Sequence, residues 1–238
     1  MSAAPSPLPS GEAKRIAVRA MFDRIAPRYD ALNRLLTGGL DQRWRRLALD
    51  VIGVRPGDRV LDLACGTGDL AAASAARGAR VVGLDFSREM LRGARARCAA
   101  TALVQADAAA LPLRDAALDA LVCGFALRNF AELGPVLREM ARVLAPGGRL
   151  ALLEVDRPAS RWLRAGHSLY FDRVVPALGG WLSDRAAYAY LPRSTSYLPD
   201  EAELLARVER AGFVRVRKRR FALGAAQLVW AVRAGAAA

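Results

Sequence analysis

Val60-Leu-Asp-Leu-Ala-Cys-Gly-Thr-Gly-Asp-Leu70 is the stretch on which the fold turns. An apolar run, residues 60–64, stops at a turn of Gly66, Thr67 and Gly68, and an alanine-rich, helix-compatible segment follows from Asp69. That is a buried strand, a glycine turn and a helix start, the order that lets bare backbone approach a nucleotide-like ligand. A dinucleotide fingerprint would carry a third glycine where Ala71 stands, and this chain also has an acid, Asp62, inside the strand. An acid there is a poor neighbour for a pyrophosphate and a good one for the amino group of an amino acid.

Working outward, Arg80-Val-Val-Gly-Leu-Asp85 reads as a second buried strand ending in an acid, with Phe86 and Ser87 behind it. A carboxylate at that point can accept from two ribose hydroxyls at once. Leu103-Val-Gln-Ala-Asp107 reads as a third strand whose acid could meet an adenine amino group. Residues 118–124 form a fourth strand, and residues 148–154 a fifth after the turn Ala145-Pro-Gly-Gly148. One acid at a strand end commonly marks only a solvated loop. Three in register behind a glycine loop point to S-adenosylmethionine (SAM), which joins a ribose, an adenine and an aminocarboxylate. The cofactor-side candidates are Asp62, Gly66, Thr67, Gly68, Asp85, Phe86, Asp107, Ala108 and Gly124.

Strands and helices alternate as far as Glu154, which predicts an α/β, Rossmann-like fold with helices on both faces of a mostly parallel seven-stranded sheet. A helix over 201–211 is closed by Gly212, and strands over 213–221 and 227–233, turning at Gly224, form a C-terminal antiparallel hairpin. Ahead of the first strand, residues 14–36 predict two short helices joined near Ala26-Pro27 and ended by Gly38-Gly39. Asp41 is placed to cap a third helix, to about Ile52. These helices are expected over the cofactor mouth. Residues 157–191 interrupt the rhythm with Trp162, Tyr170, Phe171, Trp181, Tyr188 and Tyr190. They read either as a cap packed on the sheet or as the wall of an apolar tunnel, with interleaved arginines that could rest on a membrane interface. The expected organisation is a flexible tail over 1–13 and one domain over 14–238, with a helical cap at 14–56 and a substrate-side insertion at 157–195.

The chain has 238 residues and a net charge of +13. That length suits one core. No apolar run of about eighteen residues is present, and the Ser/Pro/Ala-rich start lacks the apolar segment of a signal peptide. Cys65, Cys98 and Cys123 have no metal-ligand spacing and read as small buried residues, so no metal is expected. The basic residues are almost all arginine, Lys14 and Lys218 being the only lysines, and they are scattered. That is a composition bias more than a phosphate track. The charge does not choose between nucleic acid and anionic lipid.

With these sites placed, the chain resembles the demethylmenaquinone and polyprenyl-benzoquinol C-methyltransferases of menaquinone and ubiquinone biosynthesis. The resemblance runs from Phe22 to the end. It is carried by Phe22-Asp-x-Ile-Ala-x-x-Tyr29-Asp30-x-Leu-Asn33, Phe125-Ala-Leu-Arg128-Asn129, Arg142 to Glu154, and Tyr190-Leu-Pro192-Arg-Ser194. It departs from the family pattern at Asp41, Ala126, Ala145, Asp156 and Val229. The resemblance implies SAM-dependent C-methylation of a hydrophobic prenylated quinol, with demethylmenaquinol as the leading acceptor. It also implies a cytoplasmic enzyme with peripheral contact at the inner face of the membrane. Tyr29 would close over the cofactor, unless it is an ordinary core tyrosine. Arg128 and Asn129, directly after the fourth strand, are the catalytic candidates: the guanidinium could stabilise a developing phenolate and the amide orient the ring or a water. A structural salt bridge is the competing reading for Arg128. His167, the sole histidine, lies in the insertion and reads as a surface or core residue rather than a base. A soluble phenolic acceptor remains open, since the departures fall on the substrate side. An RNA methyltransferase is disfavoured, since the chain has neither an Asn/Asp-Pro-Pro-Tyr motif nor a Pro-Cys nucleophile.

Overall fold

The computed structural model describes residues 9–99, 101–156, 190 and 193–235. Most of the aromatic insertion, with His167, lies outside them. Seven strands form one sheet in the order β3-β2-β1-β4-β5-β7-β6. They are β1 (Arg59–Leu63), β2 (Arg80–Asp85), β3 (Ala102–Gln105), β4 (Leu118–Gly124), β5 (Leu144–Val155), β6 (Phe213–Phe221) and β7 (Ala226–Arg233). The first five pair in parallel, and β7 runs antiparallel to both β5 and β6. The hairpin expected at the C-terminus is therefore present, turning through Gly224 at φ 94°.

Alternation along the central strands sorts their side chains onto two helical layers. Leu61 and Leu63 of β1 join Leu121 and Cys123 of β4 against α6 (Leu133–Val143) and α7 (Glu201–Arg210). Val60, Val122 and Leu153 face the opposite way, against α3 (Leu40–Val51) and α4 (Asp69–Ala75). Both faces of β1 are buried, as expected of a central parallel strand. A third cluster joins Met21 and Ile25 of α1 (Gly11–Ile25) to Leu32 of α2 (Tyr29–Thr37) and Met90 of α5 (Arg88–Arg97).

The N-terminal helices break where the sequence placed the break, in a 3₁₀ turn at Ala26–Arg28. Two boundaries differ from expectation. Helix α1 starts at Gly11, inside the stretch expected as tail. Asp41 does not cap α3; Gly39, left-handed at φ 77°, holds that position. The two left-handed glycines, Gly38 and Gly39, turn the chain so sharply that the Asp41 carboxylate is buried and accepts from the Thr37 hydroxyl at 2.9 Å and from Gln42 at 3.0 Å. Among the described residues no helix is long and apolar enough to cross a membrane.

Candidate functional site

The strand order reverses between β1 and β4, and a ligand site in an open α/β sheet forms at the carboxyl ends of such a pair. A cavity of about 370 Å³ lies there, mostly apolar, its floor made by Ala64, Gly66, Asp85, Gly124 and Phe125. Its size falls in the range of small-molecule sites, roughly 300–1,000 Å³. Tyr29, Phe86, Asp107, Ala108 and Asn129 also line it. Asp62, Thr67, Gly68 and Arg128, expected at the same site, do not.

Each absence has a physical reason. Strand alternation turns Asp62 onto the α4 side of the sheet, where its carboxylate accepts the Ala71 N–H at 2.7 Å. Ala71 is in the first turn of α4, whose own N-cap, Gly68, has no side chain. Asp62 thus supplies the cap from inside a strand, and burial pushes its carboxyl up to about 7. Gly68, at φ 87°, is a packing glycine: an added Cβ would stand 2.7 Å from Cys98 Sγ. Thr67 turns away from the cavity, donating its hydroxyl to Asp30 at 2.5 Å. That bond, with Arg97 donating to the other Asp30 oxygen at 2.6 Å, ties α2 to the glycine loop. Asp69, just after the loop, accepts from Arg34 at 2.9 Å, Gln42 at 2.8 Å, Arg45 at 3.3 Å and Arg97 at 2.6 Å. Burial opposes its ionisation, yet the three guanidinium groups hold its carboxyl below the usual range.

Gly66 is the loop glycine that meets the cavity. Its N–H donates to Asp85 at 2.8 Å, and the other Asp85 oxygen accepts from Ser87 at 2.8 Å. Burial pushes the Asp85 carboxyl up to about 6 against the pull of those amides. An added Cβ at Gly66 would point toward Tyr29, 3.9 Å from its ring, so the bare glycine leaves room between loop and ring. Burial raises the Tyr29 phenol above its ordinary value, and the ring meets Phe22 edge-on at 5.9 Å.

Helix α1 lines the cavity and contributes residues that sequence reasoning missed. Arg15, Val18, Arg19 and Phe22, at helical spacing, all line the cavity. The Arg15 and Arg19 guanidinium carbons stand 5.3 and 5.2 Å from the centre of the Phe86 ring. Ser87 donates to Asp23 at 2.6 Å and fastens the same helix. The i, i+3, i+4, i+7 pattern was the available signal.

In the turn after β4, outside the cavity lining, Arg128 is buried among acceptors of its own. It pairs with fully buried Glu154 and donates to Ser194 Oγ at 3.1 Å and to the Phe125 carbonyl at 2.8 Å. The Glu154 carboxylate neutralises its charge within the protein, which is the geometry of the salt-bridge alternative. Asn129 does reach the cavity, with its side-chain carbonyl accepting from the Tyr190 hydroxyl at 3.3 Å.

The family model described as the ubiE/COQ5 methyltransferase family matches residues 10–233. The chain belongs to that family. As a member, it is a SAM-dependent methyltransferase. It is 48% identical over 200 residues to the demethylmenaquinone methyltransferase of Thermus thermophilus, covering 81% of this chain and 91% of that one. It is 45% identical to the Deinococcus radiodurans demethylmenaquinone methyltransferase, covering 92% and 94%. In fold it is similar to a SAM-dependent methyltransferase from Thermotoga maritima, with a TM-score of 0.64 at 19% identity, covering 91% of this chain and 99% of that one.

Proposed function

We propose that this family member transfers a methyl group from SAM to a ring carbon of a prenylated quinol, converting demethylmenaquinol to menaquinol. The observation that carries the acceptor is the pair of relatives above, both demethylmenaquinone methyltransferases and both matched over most of their length. The cavity supports it, being mostly apolar.

SAM, bound in the cavity, would supply an electrophilic methyl group. Asp85 suits its ribose: each carboxylate oxygen already accepts one backbone N–H and keeps a lone pair for a hydroxyl. Gly66 and Gly124 offer bare backbone, Phe86 an aromatic face, and Asp107 with Ala108 the adenine edge. Methyl transfer to carbon needs an electron-rich ring carbon held in line with the donor and shielded from water. A hydroquinone provides that carbon once a ring hydroxyl is polarised. The Asn129 amide is the neutral polar group on the acceptor wall that can do this. The Tyr190 phenol, pushed up to about 12 by burial, stays protonated at neutral pH and acts as a donor to Asn129, not as a base.

A soluble phenolic acceptor loses its main support. Of the departures from the family pattern, Ala145, Asp156, Val229 and Asp41 do not line the cavity; Ala126 alone does. Asp156 is paired with Lys218 at 2.9 Å, and Val229 is core. The prenyl tail of the acceptor supports peripheral contact with the inner face of the membrane from a cytoplasmic protein.

The test supplies the enzyme with methyl-labelled SAM and, in parallel, demethylmenaquinol, a benzoquinol precursor and total RNA. Label is expected in the extracted naphthoquinol. Label confined to RNA or to water-soluble phenols would refute the assignment.

A further inference from the structure

We infer that Phe125 is a specificity-determining residue of the transfer site, the aromatic surface on which a flat bicyclic acceptor ring rests, and that Arg128 is a positioning residue acting through it. The inference rests on the quinol reading above. Phe125 directly follows β4 and lines the cavity between Gly124 and Asn129. Its φ is 60°, in the left-handed region that bulky side chains avoid. Such a conformation persists only where the surroundings over-determine it, and these sites cluster where function needs them.

Here the surroundings do. The Phe125 N–H donates to the Leu153 carbonyl at 2.6 Å, and its carbonyl accepts from Arg128 Nη1 at 2.8 Å and Asn129 Nδ2 at 3.4 Å. The Arg45 guanidinium stands 5.0 Å from the ring centre, and the Trp44 ring packs at 6.5 Å, tilted by 53°. Arg45 is itself held by Asp69 behind the glycine loop. The ring is therefore fixed from the cofactor-loop side and the carbonyl from the Arg128 side. Glycine would make this turn without strain. The chain instead keeps an aromatic ring at the turn and surrounds it with restraints, which singles out the ring as the functional element. An aromatic surface bordering a mostly apolar cavity matches the flat face of a naphthoquinol, with which it can stack offset or edge to face. Arg128 Nη1 is shared between the Phe125 carbonyl and Glu154, and its Nε donates to Ser194, so the guanidinium is tied to the backbone of the Phe125 turn.

The experiment compares Phe125→Gly, Phe125→Tyr, Arg128→Ala and the Phe125→Gly/Arg128→Ala double variant. It reads kcat and KM for demethylmenaquinol, the Kd for SAM, and the melting temperature. Phe125→Gly is compatible with the backbone and should fold. Its kcat/KM for the quinol should fall by about thirtyfold or more while the SAM Kd stays within about threefold; Phe125→Tyr, restoring a ring, should recover at least a third of the lost efficiency. Arg128→Ala should add little in the Phe125→Gly background, because residues acting as one unit are non-additive. Turnover of Phe125→Gly within twofold of wild type would overturn the inference, as would a parallel loss of SAM binding. Fully multiplicative losses in the double variant would show that Arg128 acts independently and overturn its positioning role. A wild-type enzyme inactive on the quinol would overturn the quinol reading and this inference with it, whereas an active wild type with an unaffected Phe125→Gly overturns this inference alone.

Discussion

Replacing Arg128 by alanine should strand the most buried carboxylate near the site. Glu154 is 0% exposed and the Arg128 side chain 7% exposed, so neither charge is solvated. Removing one member of such a pair costs about 3–5 kcal/mol, most of it the penalty of the charge left behind. The Val155 N–H at 2.8 Å and the Arg128 backbone N–H at 3.3 Å still reach Glu154 after the substitution. These place the expected loss near the lower bound, about 3 kcal/mol. For a chain of 238 residues each kcal/mol moves the melting temperature by about 2–4 °C. A fall of roughly 6–12 °C follows. Thermal unfolding followed by circular dichroism, without cofactor, measures it. The decisive control is Arg128→Ala combined with Glu154→Gln, which removes the stranded charge and should recover most of the loss. A single variant within about 2 °C of wild type, or a double variant no better than the single, would refute the reasoning.

Gly68→Ala should destabilise by about 1–3 kcal/mol in urea titrations, because the new Cβ lies 2.7 Å from Cys98 Sγ at φ 87°. Adding Cys98→Ala should recover only part, since it relieves the contact and leaves the backbone strained. Asp69→Asn removes the anion shared by Arg34, Arg45 and Arg97. With two of those guanidiniums about a third exposed, the expected loss is roughly 2–3 kcal/mol, below the full buried-pair penalty; SAM binding should weaken in the same variant, measured by calorimetry. The acids Asp62 and Asp85, raised by burial to about 7 and about 6 from 3.8, bind protons more tightly in the folded state. Their contribution to stability is full below about pH 4 and is lost as pH rises through 6 to 7. Urea midpoints of the cofactor-free protein should therefore fall more between pH 5 and pH 7.5 in wild type than in Asp62→Asn; equal slopes would contradict the assignment.

The β1–glycine loop–α4 unit and the terminal hairpin were legible because each follows from local patterning: a doubly buried apolar strand, a glycine turn, and a short link between two late strands. The acids show the limit of such reading. Asp85 and Asp107, read at strand ends, reach the cavity, whereas Asp62, read inside its strand as a partner for an amino group, does not. Strand parity alone turns Asp62 toward α4, and its use as a cap depends on Gly68 having no side chain. The same limit hid Arg128. Its motif marks an important residue, but whether the guanidinium faces the acceptor or Glu154 is decided by a strand 26 residues later. Phe125 was legible only as the first residue of the Phe125-Ala-Leu-Arg128-Asn129 segment; its left-handed conformation was not, because nothing in a sequence announces it. The α1 contacts were missed, because residues 15, 18, 19 and 22 share a helical spacing but which helix face meets the cavity is set by tertiary packing.

The central claim is transfer of a methyl group to a quinol carbon, and a single turnover on demethylmenaquinol with ¹³C-methyl SAM tests it directly. Carbon-13 NMR of the extracted product should show the label bonded to a ring carbon of a prenylated naphthoquinol. A label on a ring oxygen, or no label in the quinol while a soluble phenol is methylated, would contradict the account.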